Sequence, residues 1–210
     1  MQSAMKRRGG FTKVEMLVLL VIVGVLAAIF YPAFNKGGHR PSPRVFCAVN
    51  LKQIGTAFMQ YAQEYDERFP SVKSNGKKFG WADAIFIYAP DNNIYQCPSE
   101  KKTVAVTDPT QSGYTDYWFN TNLSKLNLGK LTTPSRTILL GDGNDGTENT
   151  DARYNRNALP QSWRDTKNSP ARRHLDTANY AFADGHVKSF RPQQITTLPT
   201  TQSSSTFSIR

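Results

Sequence analysis

Apolar residues run almost unbroken from Val14 to Phe34, with one charge, Glu15, at the near end. A run of about 20 such residues is long enough to cross a bilayer as a helix. The next nine residues, Asn35-Lys36-Gly37-Gly38-His39-Arg40-Pro41-Ser42-Pro43, hold two glycines and two prolines. That composition predicts a break, a hinge over 35–44. Ser42 and Pro43 then form an N-cap and first-turn pair for a new helix. Cys47, Leu51, Ile54, Phe58, Tyr61 and Tyr65 recur at spacings of three and four, which predicts one apolar stripe on a helix over 45–68.

Beyond Phe69 the pattern shortens. Trp81-Ala82-Asp83-Ala84-Ile85 reads as a short helix, Tyr114–Asn120 as an aromatic strand, and Ser135–Leu140 as a buried strand. Asn179–Ala183 and His186–Phe190 alternate around Asp184-Gly185, a strong turn dipeptide, and predict a hairpin. Residues 69–191 are therefore expected to form a β-rich head. Residues 192–210, rich in Ser, Thr, Gln and Pro, are expected to be disordered. The fold class is α+β: an N-terminal transmembrane helix over 11–34, a second helix broken off from it, and an antiparallel β-rich globular head.

The flanks of the apolar run set its orientation. Lys6, Arg7 and Arg8 precede it, and cationic flanks stay in the cytoplasm, so the head is expected outside. An ordinary secretory signal carries a small-residue cleavage site after its apolar stretch, and Leu26-Ala27-Ala28-Ile29-Phe30 offers none. Arg7-Arg8 also permits a twin-arginine signal, which needs neither Glu15 nor the Gly10-Phe11 junction. A carboxylate at the head of a membrane helix needs a partner. Phe11 lies four residues earlier, on the same helical face, and cleavage after Gly10 gives it an α-ammonium group.

Gly10-Phe11-Thr12-Lys13-Val14-Glu15 with its apolar run resembles the N-terminus of type IV pilins and type II secretion pseudopilins. The resemblance implies that a prepilin peptidase cuts after Gly10 and that Phe11 is methylated. It implies that Glu15 pairs with a neighbouring subunit's amine during filament assembly, and that Pro32 kinks the helix. Gly24 and Ala28 form a small-xxx-small pair suited to close helix packing. The implied partners are the peptidase, other pilin or pseudopilin subunits and the bacterial inner membrane, with the head periplasmic or on the cell surface. Asn50-Leu51-Lys52-Gln53-Ile54-Gly55, Cys97-Pro98-Ser99, and His174 followed after nine residues by Asp184-Gly185 resemble a narrower group of prepilin-type proteins with an H-x9-DG domain.

Composition and chemistry refine this picture. The chain has 210 residues and a net charge of +10, three of the cations being in the leader. The remaining charge admits a polyanion such as DNA as a partner, yet no basic run interleaved with aromatics follows the leader; a generally basic, soluble surface is expected instead. Export permits a Cys47–Cys97 disulfide, and the bridge is expected over two separate buried thiols. No CxxC or His/Cys cluster points to zinc. Gly141–Glu148 collects oxygen ligands suited to Ca²⁺, with Asp142, Asn144 and Asp145 as candidates, but its spacing departs from the EF-hand. A plain turn is the expectation. Asp184 is assigned to the hairpin turn, and His174 to bonding and locking the hairpin backbone. No nucleophile–His–acid triad, paired-carboxylate motif or phosphate loop stands out, so an enzyme is not expected. The alternatives are a membrane-tethered binding module that does not polymerise, and an exported metal-dependent enzyme using His174, Asp184 and the Asp142 loop.

Overall fold

The computed structural model describes residues 12–35, 42–73, 78–100, 105–197 and 205–209, with side chains left out for 32–35. The leader, the Gly10-Phe11 junction and the Gly37-Gly38 break lie outside the described residues. The chain divides into two compact units, Met1–Arg40 and Pro41–Arg210.

The first unit carries helix α1, Lys13–Asn35. Its stretch Lys13–Tyr31, 19 residues, is long and apolar enough to cross a membrane or to serve as a signal sequence. At 1.5 Å per residue it is about 28 Å long, close to the ~30 Å hydrocarbon core of a bilayer. Its apolar side chains from Val14 to Tyr31 are exposed, and a Cβ added at Gly24 meets nothing within 4 Å. The helix starts at a capping box. Thr12 N–H and Oγ donate to Glu15 Oε2 at 2.7 and 3.0 Å, and Glu15 N–H donates to Thr12 Oγ at 3.3 Å. Thr12-x-x-Glu15 is the sequence signature of this device, so Glu15 has a local partner whatever else it meets.

In the second unit, α2 spans Pro43–Glu64. Ser42 has the extended N-cap backbone and Pro43 occupies the first turn, but the Ser42 hydroxyl makes no cap bond. Cys47, Leu51, Ile54 and Phe58 are fully buried, as the stripe predicts, and Ala57 and Ala62 join them. The stripe fails at its end: Tyr61 is half-buried and Tyr65 is 53% exposed. The helix stops short of 68 because Tyr65 is already non-helical and Asp66 and Glu67 adopt positive φ. The Tyr61 and Tyr65 rings stack on each other at 4.2 Å instead.

Helix α2 lies on a five-stranded sheet ordered β3-β1-β2-β4-β5. The strands are β1 Tyr117–Asn120, β2 Ile138–Asp142, β3 Asn155–Arg156, β4 Ala178–Phe182 and β5 Val187–Phe190. All pairings are antiparallel except β1–β3, which is parallel. Two short helices complete the order, α3 Trp81–Ala84 and α4 Gln161–Asp165. The β4–β5 hairpin turns through Asp184-Gly185, with Gly185 at φ +85°.

Both faces of the sheet are covered. Tyr117, Phe119 and Ala181 face α2 and join Leu51, Ile54, Phe58 and Trp81. Trp118, Tyr180 and Phe182, one residue out of phase, face a second core with Ile138, Trp163 and Phe207. This is the two-residue period of a strand. It is interrupted in β2, where an irregularity between Ile138 and Leu140 lets Leu139 and Leu140 both enter the first core. At Gly141 a Cβ would meet Trp118 Cζ2 at 2.3 Å and Tyr180 Cδ1 at 2.8 Å. Gly141→Ala is therefore expected to cost about 1–3 kcal/mol by overpacking, read as a lower urea midpoint.

The C-terminal segment corrects one expectation. Residues 192–210 are not a disordered tail throughout. Ile195–Thr196 and Ser205–Thr206 pair in parallel as β6 and β7, and Ile195 and Phe207 are buried in the second core. Asn120 and Asn122 side-chain amides donate to Phe207 O at 3.0 and 2.9 Å, and Thr206 N–H donates to Arg136 O. Composition averages over the segment hid two apolar anchors, Ile195 and Phe207; residues 198–204 and 210 lie outside the described residues.

Candidate functional site

The structure gathers four chemically able side chains under the N-terminal half of α2. The first stripe position of α2 presents Cys47 to the core, where it is joined to Cys97 in a disulfide with Cα atoms 5.2 Å apart. Cys97 follows a 3₁₀ turn at Asn92–Tyr95, and its N–H donates to Asp116 Oδ2 at 2.8 Å. Asp142 closes β2. His174 precedes a two-residue turn in which Leu175 and Asp176 both have positive φ, the signs of a type I′ turn. His174 and Thr177 pair backbone to backbone across it.

His174 Nε2 stands 3.2 Å from Asp142 Oδ2 and 3.8 Å from Cys97 Sγ, while Nδ1 is 3.4 Å from Ser99 Oγ. A carboxylate at Nε2 assigns the ring hydrogen to that nitrogen. Asp142 Oδ2 also accepts from Asn179 N–H at 2.6 Å, and the Asp142 carbonyl accepts from Trp118 Nε1 at 2.8 Å. Asp142 Oδ1 is buried with no hydrogen-bond partner. Cys47 and Asp142 are wholly buried, Cys97 and His174 nearly so.

Buried tyrosines lie in the same head, two of them within reach of the Asp142 charge. Burial first, and the Asp142 charge second, push the Tyr117 and Tyr180 hydroxyls well above the usual phenol range. Burial pushes Tyr114 and Tyr154 up to about 12. A phenol raised by folding contributes its full stability below the unfolded value of about 10, and loses it as pH rises through the folded value. The urea midpoint of the head is therefore expected to fall between about pH 10 and 12, together with the rise of tyrosinate absorbance. A midpoint unchanged at about pH 11 contradicts this.

The predicted sites divide. Cys47, Cys97 and His174 come together, joined by Asp142, which the sequence offered both as a Ca²⁺ candidate and, with His174, in the metal-enzyme alternative. Asp184 stays in its turn, where its Oδ1 accepts from His186 N–H and lies 2.6 Å from His186 Nδ1. His174 does not bond the hairpin backbone as expected; its ring turns to Asp142 and the disulfide, because the type I′ turn aims it inward. The hairpin is held instead by Lys52 Nζ, which donates to Gly185 O at 2.6 Å. The Asp142, Asn144 and Asp145 candidates part company. Asn144 Nδ2 donates to Asp116 Oδ1 at 2.6 Å, and Asp145 accepts from Thr147 and from Trp163 Nε1. Asn144 and Asp145 are thus hydrogen-bonded to separate neighbours, while Asp142 faces His174. Gly10 and Phe11 lie outside the described residues. Sequence reasoning missed two features: the Thr12–Glu15 capping box, legible as T-x-x-E, and the meeting of Asp142 and His174 with the two cysteines, which no spacing signals.

A disulfide and a carboxylate-held imidazole, sealed from solvent, tie α2, β2 and two loops together. No protein-family model, curated protein or solved structure matches the chain.

Proposed function

We propose that the chain is a membrane-anchored prepilin, a structural subunit of a type IV pilus or type II secretion-like filament. The observation that carries this reading is the exposed apolar helix α1 with Glu15 at its threshold, directly behind Gly10-Phe11. The leader stays in the cytoplasm, a prepilin peptidase cuts after Gly10, Phe11 is methylated, and the apolar helices pass from bilayer to filament core. There the head faces outward, held by its disulfide-linked core.

Mass spectrometry of the mature N-terminus tests the processing step. An intact leader, or a cut elsewhere, ends this reading. The role of Glu15 needs a separate test, because it also caps α1. Glutamine at the same position preserves a capping box but offers no charge to a partner's amine. Glu15→Gln is expected to be exported and cleaved normally while filament yield falls at least about tenfold, the equivalent of 1.4 kcal/mol per contact. Filaments at the wild-type level would assign Glu15 to capping alone.

A second reading is a membrane-tethered binding module that uses the same export route without polymerising. The two glycines and two prolines from Asn35 to Pro43 in the sequence favour it over a single long spine. Electron microscopy of shed material separates the two readings. DNA as a partner gains little: a hollow with Tyr61, Tyr65, Arg68, Lys78 and Lys125 also contains Glu64 and Asp66.

A further inference from the structure

One donor atom each from Cys47, Cys97, Asp142 and His174 lies within 4.8 Å of all the others. Two sulfurs, one imidazole nitrogen and one carboxylate oxygen form a tetrahedral donor set of the kind that selects Zn²⁺ over hard cations. Metal–ligand bonds of about 2.0–2.3 Å place neighbouring ligand atoms of a tetrahedron roughly 3.3–3.8 Å apart. His174 Nε2 already stands 3.2 Å from Asp142 Oδ2 and 3.8 Å from Cys97 Sγ. The two bonded sulfurs have to separate, and every other pair of donor atoms already lies within 4.8 Å. The buried Asp142 Oδ1 is a second, independent pointer, since it has no hydrogen-bond partner and an unsatisfied buried carboxylate oxygen is costly.

We infer that the dithiol form of this chain binds one zinc-class divalent cation through Cys47 Sγ, Cys97 Sγ, His174 Nε2 and the Asp142 carboxylate, so that disulfide and metal centre are alternative states of one site. The supporting groups are in place. Ser99 Oγ accepts the ring hydrogen once it sits on Nδ1, and Asn179 N–H holds Asp142 Oδ2, the outer partners that metal ligands require. The dithiol form exists before the bridge closes, or is regenerated by a thiol or phosphine reductant. That reductant supplies two electrons to the S–S bond and is itself oxidised, a dithiol to its disulfide with its two protons completing the thiols, or a phosphine to its oxide with water supplying the oxygen and the two thiol protons. Zinc then displaces both thiol protons to solvent, and the imidazole proton moves from Nε2 to Nδ1. This inference does not depend on filament assembly.

The test uses the full chain in detergent, reduced with a phosphine under argon and titrated with Co²⁺, then Zn²⁺, beside the oxidised chain. The reduced chain is expected to bind one Co²⁺ with the intense visible bands of a tetrahedral site and a thiolate charge-transfer band, and to exchange it for Zn²⁺. The oxidised chain shows neither. His174→Ala is expected to weaken binding by at least about tenfold. X-ray absorption at the zinc edge of the reduced wild type is expected to resolve two sulfur and two nitrogen or oxygen neighbours, a result that does not rely on a variant folding. No binding by the reduced chain, equal binding by the oxidised chain, or a zinc shell lacking sulfur overturns the inference.

Discussion

Replacing both Cys47 and Cys97 by alanine will lower the unfolding free energy of the head by about 4 kcal/mol relative to the oxidised wild type. The two residues are separated by 50 positions, and closing a loop of that size removes about 4 kcal/mol of unfolded-chain entropy in the chain-entropy model. Small domains commonly have only 5–15 kcal/mol in total, so this is a large share. The substitution also withdraws the sulfur that packs against His174 Nε2, which leaves the buried His174–Asp142 pair less enclosed. Urea unfolding followed by tryptophan fluorescence measures it directly, because Trp81, Trp118 and Trp163 are all buried in the head. Metal-free reduced wild type should fall by a similar amount. A loss under about 1 kcal/mol would show that the unfolded chain is already compact enough to make the bridge redundant.

Phe207→Ala will cost about 3–5 kcal/mol, the usual range for a buried aromatic cut to alanine. Phe207 is fully buried, and its ring stacks on Trp118 at 4.9 Å. Its carbonyl accepts from Asn120 and Asn122, both next to or on β1. Losing the ring opens a hole in the second core and releases these backbone contacts, so the effect on thermal unfolding should exceed that of a solvent-facing change such as Leu175→Ala, where the side chain is 88% exposed. A melting temperature within about 2 °C of wild type would mean that the C-terminal segment is not docked in solution.

The same segment shows why parts of the fold were legible and others were not. The α2 stripe and the β4–β5 hairpin could be read because helical spacing and a DG turn are local signals, resolved within ten or so residues. Phe207 could not be read, since one aromatic in a Ser/Thr-rich stretch becomes a core residue only if another element offers it a cavity. The end of α2 was misplaced for a related reason: Tyr65 continues the apolar period, but positive φ at Asp66 and Glu67 ends the helix. For Glu15 the sequence points to an amine, at Phe11 or on a neighbouring subunit, while the partner in the structure is Thr12, three residues away.

Local order by itself determined the apolar helix, its capping, the separate amphipathic helix and the hairpin, because each depends on residues adjacent in the chain. Tertiary structure alone decided that Cys47, Cys97, His174 and Asp142 share one buried site, while Asp184, Asn144 and Asp145 do not belong to it. Ligand geometry depends on distances across α2, β2 and two loops, and the spacing of residues along a chain carries no information about distances that only folding creates.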